Sequence, residues 1–193
     1  TVPRRIDLGR LTAVLRRLLL QRVWPLDVRA VLETVATLPR LENELEALTE
    51  QVRAGLGRFL LQGLLRGREK SEGASSGPEG LPALLLSNEI EELLRDSRQG
   101  ELEPELLREI VQGVQAAKKL APEAALLCHA DVRLAVEKLL LGTPETLPVL
   151  AYTELPPSVP VVVMGRVEPG SGADGAAPFI DSAAVPWQMR SRT

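Results

Sequence analysis

The chain has 193 residues, 45% apolar and 25% charged, enough to bury the core of one ordinary domain or two small ones. Aromatic residues make up only 3%, so the core must be built from Leu, Val, Ala and Ile, and sites that stack bases, sugars or flat cofactors on rings are disfavoured. One cysteine rules out an internal disulfide and, with a single histidine, fits a reducing compartment, while a formal charge of −3 exerts no global pull on nucleic acid or anionic lipid.

That charge is unevenly spread. Residues 1–40 hold eight arginines against Asp7, Asp27 and Glu33, a local balance of +5 that leaves −8 for the rest. Such a lopsided chain suits head-to-tail self-association, or simply carries a solvated basic helix face. No signal peptide is visible, and the longest apolar runs, such as Leu18 to Leu20, fall well short of the ~20 residues a membrane helix needs. The chain begins at Thr1 without a methionine, as would a fragment whose targeting or membrane part lies upstream.

Three helices open the pattern. Asp7 is placed to cap a helix that carries Leu8, Leu11, Leu15, Leu18 and Leu19 on one stripe and ends near Arg22. Pro25 sits where a first-turn proline is tolerated, and Val28, Val31, Leu32, Val35 and Leu38 form a second stripe that Pro39 stops. Leu41, Leu45, Leu48, Val52, Leu56 and Phe59 or Leu60 make the third, with Glu42, Glu46, Glu50 and Arg53 outside it. A helical subdomain is thus expected over residues 1–65, followed by a Gly-, Ser- and charge-rich flexible linker over 66–80.

Leu81 to Leu86 then reads as a buried strand. Ser87 and Asn88 are possible caps for a short helix from Glu89 to Arg95, Asn88 and Glu91 having capping-box spacing. Pro104 opens a longer helix to about Leu120, with Leu107, Ile110, Val111 and Val114 inward. An apolar run from Ala124 to Cys128 precedes a helix from Asp131 to Leu141 with Val132, Val136, Leu139 and Leu140 on one face. Two strands close the pattern, Leu147 to Tyr152 and Val159 to Val167, expected as neighbours joined by a short turn. The fold class is α+β: a helical subdomain of three main helices, then a small α/β subdomain over 81–167 in the order β-α-α-β-α-β-β. Residues 168–193 read as a disordered tail, or as a peptide arm docked through Trp187.

A search for chemistry returns little. Cys128 and His129 are adjacent, but successive strand side chains point to opposite faces and no second Cys or His completes a metal shell. Phosphate-binding glycine motifs are absent. Carboxylate pairs such as Glu91 with Glu92 and Glu103 with Glu105 fall in helical contexts expected to be exposed. The best alternative from another class is a helix-turn-helix-like DNA-binding regulator using residues 7–38, yet its recognition helix, Leu26 to Leu38, offers only Arg29 and Thr34 as readers beside Asp27 and Glu33.

Two motifs carry a family resemblance. LTAVLRRLLLQRVWPLDVRAVLETVATL resembles the stretch reading roughly VLxxLLxExVxIRDLRxILExLA in the flagellar and injectisome type III secretion export-gate family (FHIPEP). Leu15, Leu18, Leu19, Arg22, Val23, Asp27, Val28, Arg29, Val31, Leu32 and Glu33 stand at matching positions. LLCHADVRLAVEKLL and LPVLAYTELPPSVPVVVMGRV look like the family's LLxxxxVRRxxRxLLE and its terminal LxVLSYxEIxPxVxVxxxGxV, through Leu126, Leu127, Val132, Arg133, Leu139, Val149, Leu150, Tyr152, Glu154, Val159, Gly165 and Val167. The two occur in the family's order and cover roughly residues 10–167.

The resemblance implies a non-enzymatic protein without cofactor or metal, corresponding to the last two of four subdomains in the family's cytoplasmic region. That region lies at the cytoplasmic face of the bacterial inner membrane, anchored through an upstream membrane part, and forms a homo-oligomeric, commonly nonameric, ring below the secretion channel of a flagellum or of a virulence injectisome. The ring receives export chaperone–substrate complexes, gatekeeper or switch factors and stalk proteins, and no nucleic acid. On this reading Arg16, Arg17, Arg22 and Arg29 are candidates for the subunit interface, facing Glu42, Glu46 and Glu50 of a neighbour. Asp27, Arg29, Glu33, Val132, Arg133, Tyr152, Glu154 and Gly165 are the family-motif positions. Each exposed pair contributes only ~0–1 kcal/mol, so the isolated chain is expected to be monomeric at modest concentration.

Overall fold

The structure, a computed structural model, describes residues 5–21, 23, 27–69, 80–96, 103–141, 143 and 147–170. The first-turn proline reading at Pro25, most of the expected linker and the expected tail from 171 onward lie outside the described residues. The fold is α+β, with seven α-helices and one four-stranded sheet among the described residues. It divides into two compact units, Thr1–Ala74 with Thr153–Pro156, and Ser75–Tyr152 with Pro157–Thr193.

The helical unit contains α1 (Leu8–Leu20), α2 (Val28–Thr37), α3 (Leu45–Gly55) and α4 (Gly57–Glu69). Asp7 caps α1, its Oδ1 accepting from Arg10 N at 2.8 Å. α2 opens at Val28, later than expected, because Asp27 takes the cap position and accepts from Arg29 N at 2.9 Å and Ala30 N at 3.3 Å. Its end at Thr37 leaves Leu38 at ψ 131, the extended conformation that the following Pro39 imposes. Val14, Leu18, Val31, Val35, Leu48 and Val52 form the centre of the core. The buried stripe of α1 therefore runs through Leu11, Val14, Leu15 and Leu18 at helical spacing, whereas Leu8 and Leu19, expected on it, are exposed.

The third apolar stripe, expected as one helix through Leu60, is divided in two. At the break Leu56 N donates to both Val52 O at 3.1 Å and Arg53 O at 2.9 Å. The flanking glycines admit close neighbours: a Cβ on Gly55 would lie 2.3 Å from Thr34 Cγ2, and one on Gly57 would lie 2.0 Å from Glu154 O. Past the break the apolar phase shifts, so Phe59 is left exposed while Leu60 packs on the core.

The sheet unit contains β1 (Leu81–Leu86), α5 (Asn88–Asp96), α6 (Pro104–Leu120), β2 (Ala125–Cys128), α7 (Ala130–Leu140), β3 (Val149–Ala151) and β4 (Val161–Val167). All strand pairs are parallel, in the order β3-β2-β1-β4. The expectation that the last two strands are neighbours is therefore wrong, since β3 and β4 form opposite edges. A short turn would have made them antiparallel. Instead β1, apolar along its length and flanked on both sides, pairs Leu81 to Ala83 with Val161 to Val163, while the three-residue β3 pairs with β2. Met164 is an extra residue in β4, because Ala83 faces Val163 and Leu84 faces Gly165.

Pro104 stands in the first turn of α6, where its missing N–H costs nothing. Ser87 caps α5, its Oγ accepting from Ile90 N at 3.3 Å, so Asn88 lies inside the helix and the expected box with Glu91 does not form. Ile90, Leu94, Ile110, Val114, Leu126 and Val132 form the core over the sheet. No helix among the described residues is long and apolar enough to cross a membrane.

Candidate functional site

The outer face of α1 carries an open groove. Leu8, Gly9, Thr12, Ala13, Arg16 and Arg17, with Leu45 of α3, line a groove of about 540 Å³. Gly9 and Ala13 give it depth, Leu8 and Leu45 an apolar wall, and the two arginines a basic rim. Arg17 Nη1 meets Glu46 Oε1 at 3.1 Å, both side chains half-exposed, and Gln21 Nε2 donates to Glu50 Oε1 at 3.1 Å. Two of the acids expected to face a neighbour are thus engaged within the chain.

Arg29 Nε lies 2.8 Å from Glu33 Oε1 on the same exposed helix face, and that carboxylate raises the guanidinium pKa above its ordinary value. Arg22 lies outside the described residues. Arg16 and Glu42 remain exposed, with no side-chain ion pair among the described residues. The backbone around Glu42 is pinned: its N–H donates to Gln51 Oε1 at 3.3 Å and its carbonyl accepts from Arg10 Nη2 at 2.7 Å. For a DNA reader this geometry is poor, because α2 offers a single arginine already tied to Glu33, with Asp27 committed to the cap.

In the sheet unit a polar cluster occupies the carboxyl ends of β2 and β3. Glu91, carried inward by α5, is buried, and its Oε1 accepts from His129 N at 2.8 Å. Its Oε2 meets His129 Nδ1 at 2.6 Å and accepts from Arg95 Nη2 at 3.3 Å. Arg95 Nε also reaches Asp131 Oδ2 at 2.5 Å, which holds the Asp131 carboxyl below, and the guanidinium above, their ordinary ranges. Tyr152 sits edge-on to the His129 ring, centroids 5.3 Å apart at 76°. Burial first, then the Glu91 charge, pushes its phenol up to about 12. Cys128 is buried with Sγ 3.8 Å from Leu150 O, while His129 turns to Glu91, so the two adjacent residues serve different neighbours.

The remaining motif positions are packing and pairing residues. Val132 and Gly165 are buried. Arg133 is buried too, with Nη1 2.7 Å from Glu137 Oε2. Glu154, on the 3₁₀ turn Tyr152–Glu154, pairs with Arg53 at 2.6 Å. Two side chains read as exposed from the sequence, Glu91 and Arg53, are therefore interior. The signal was present in the spacing: Ser87, Ile90, Glu91 and Leu94 share one helical stripe, and so do Thr49, Val52, Arg53 and Leu56. A charge on an apolar stripe calls for a buried partner.

Comparison with known proteins gives concordant matches. The family model described as FHIPEP matches residues 1–160. HrpC2 of Xanthomonas euvesicatoria is 29% identical over 82% of this chain and 24% of its own length. The flagellar biosynthesis protein FlhA of Bacillus subtilis is 28% identical over 86% of this chain and 25% of its own. The chain thus spans about a quarter of the length of these relatives. Among solved structures, CdsV of Chlamydia pneumoniae matches with a TM-score of 0.70 at 27% identity, covering 86% of this chain and 48% of that one. CdsV in complex with CdsO matches at 0.66, 26%, 86% and 48%. The nonameric EscV cytosolic domain from the type III secretion system shares the fold, at 0.68, 24%, 86% and 49%.

Proposed function

The chain belongs to the FHIPEP family, and from that premise we propose that it is the distal part of the cytoplasmic ring of a type III secretion export gate. In that ring its helical unit contacts neighbouring copies, and the assembled gate docks chaperone–substrate complexes, switch factors and stalk proteins. The role is recognition and assembly, without catalysis.

The observation that carries this reading is the complementary pair left on the helical unit. The α1 groove presents Arg16 beside an apolar wall, and Glu42 is held out on a pinned loop. A unit that exposes both a cation and an anion can meet its copies head to tail, the kind of contact that closes rings. EscV, which has this fold, is nonameric, and CdsV forms a complex with CdsO; both support the proposal. With exposed pairs contributing ~0–1 kcal/mol each, the isolated chain associates weakly and reversibly.

Cysteine cross-linking tests the interface. Because native Cys128 is buried, differently tagged copies bearing Arg16→Cys and Glu42→Cys can be mixed and oxidised at high protein concentration. A mixed disulfide dimer that high salt suppresses is the expected product. Absence of that dimer under conditions where sedimentation shows self-association rules out this contact.

A further inference from the structure

Thr153–Pro156 lies between β3 and β4 in the sequence, yet it belongs to the helical unit. Within this segment only Glu154 is buried; Thr153 is exposed and Leu155 and Pro156 are half-buried. Two contacts of that one buried residue place the segment. The first is the ion pair of Glu154 Oε1 with Arg53 Nε, the side chains 2% and 4% exposed, with Gln21 Oε1 accepting from Arg53 Nη1 at 3.4 Å. The second is the approach of the Glu154 carbonyl to Gly57, where any Cβ would lie 2.0 Å from that oxygen. One contact is electrostatic and the other steric.

Such a segment is placed rather than strongly stabilised. A buried ion pair adds little net stability because desolvation offsets the Coulomb attraction, but it specifies where the carboxylate must go. Opening the segment exposes one buried side chain of its four, a much smaller change than unfolding the core, and local openings of this kind occur below the global free energy.

We infer that Thr153–Pro156 is a releasable strap. Glu154 clips it into place, its carboxylate on Arg53, which Gln21 also engages, and its carbonyl against Gly57, and the strap opens and recloses while the helices and strands stay folded. This holds whether or not copies of the chain form a ring.

Amide hydrogen exchange on the full chain, with cleavage by a glutamate-specific protease as a second readout, tests it through two variants of opposite design. Glu154→Gln removes the charge and keeps the shape. Gly57→Ala leaves the ion-pair chemistry untouched and improves helix propensity, but blocks the carbonyl sterically. In both, exchange of the amides of Thr153, Leu155 and the residue between them rises about tenfold or more, and in Gly57→Ala cleavage after Glu154 accelerates, while β1 and β2 amides change by less than about twofold. Strap amides unmoved in Gly57→Ala, or strap and β1 amides exchanging together in the unmodified chain, would overturn the strap. If Glu154→Gln fails to fold, Gly57→Ala alone decides.

Discussion

Glu91 shows how one side chain ties local structure to the architecture of the sheet unit. Its carboxylate takes a backbone N–H at the β2–α7 junction, the His129 ring and Arg95, so α5 and α7 are joined through a buried anion. Glu91→Gln keeps the shape but loses the charge-assisted bonds, and should cost about 1.5–3 kcal/mol in urea unfolding; a loss under about 0.5 kcal/mol would contradict the reading. Tyr152 gives a second test, because it is the only tyrosine and its absorbance titrates alone. Its phenol should titrate near 12, against an ordinary value of 10.0. The unfolded chain loses this proton first, so between those two values it binds fewer protons than the folded chain and stability falls as pH rises. A midpoint at the ordinary value would show a ring free of both burial and the Glu91 charge. At this scale the sequence misled most where charged residues sat on apolar stripes. Glu91 and Arg53 read as exposed because they are charged, although each falls on an apolar stripe, and their partners His129 and Glu154 lie too far along the chain to be paired from local pattern.

Among the elements, the α3–α4 break is where local pattern and tertiary packing disagree. Continuous apolar spacing from Leu45 to Leu60 favours one helix, yet Gly55 and Gly57 mark places where Thr34 and Glu154 come too close for a side chain. Gly55→Ala should therefore destabilise the unmodified chain in thermal melts, although alanine is ordinarily better in a helix. In a Thr34→Ser background, which removes the clashing methyl, the same change should gain up to about 1 kcal/mol. Equal effects in the two backgrounds would remove the steric explanation. The bounds of β1 and α6 were legible because turn residues and Pro104 punctuate them. Strand order was not, because a valine-rich run declares itself a strand without declaring its partner: β4 pairs with β1, 80 residues upstream at Leu81↔Val161, and not with β3 beside it in sequence. The α1 groove was half legible. Its arginines stood out, whereas its depth comes from Gly9 and Ala13, which signal nothing until the helix is packed.

For the whole molecule, the basic beginning and acidic remainder are less polarised than the sequence suggests, since Glu46 of the remainder meets Arg17 of the beginning. Self-association should accordingly be weak, and Arg16→Glu should reduce it in sedimentation more than Arg17→Glu, whose arginine already has a partner. Equal effects of the two would deny Arg16 its special place on the groove rim. The proposed function predicts more than association, because under it this chain is a working part of a protein-export machine. The most direct test is made in the cell that encodes it, by deleting residues 5–170 from the chromosomal gene and measuring type III substrates in the medium and inside the cell. Substrates retained inside and lost from the medium are the predicted result; secretion at the unmodified level would contradict the account.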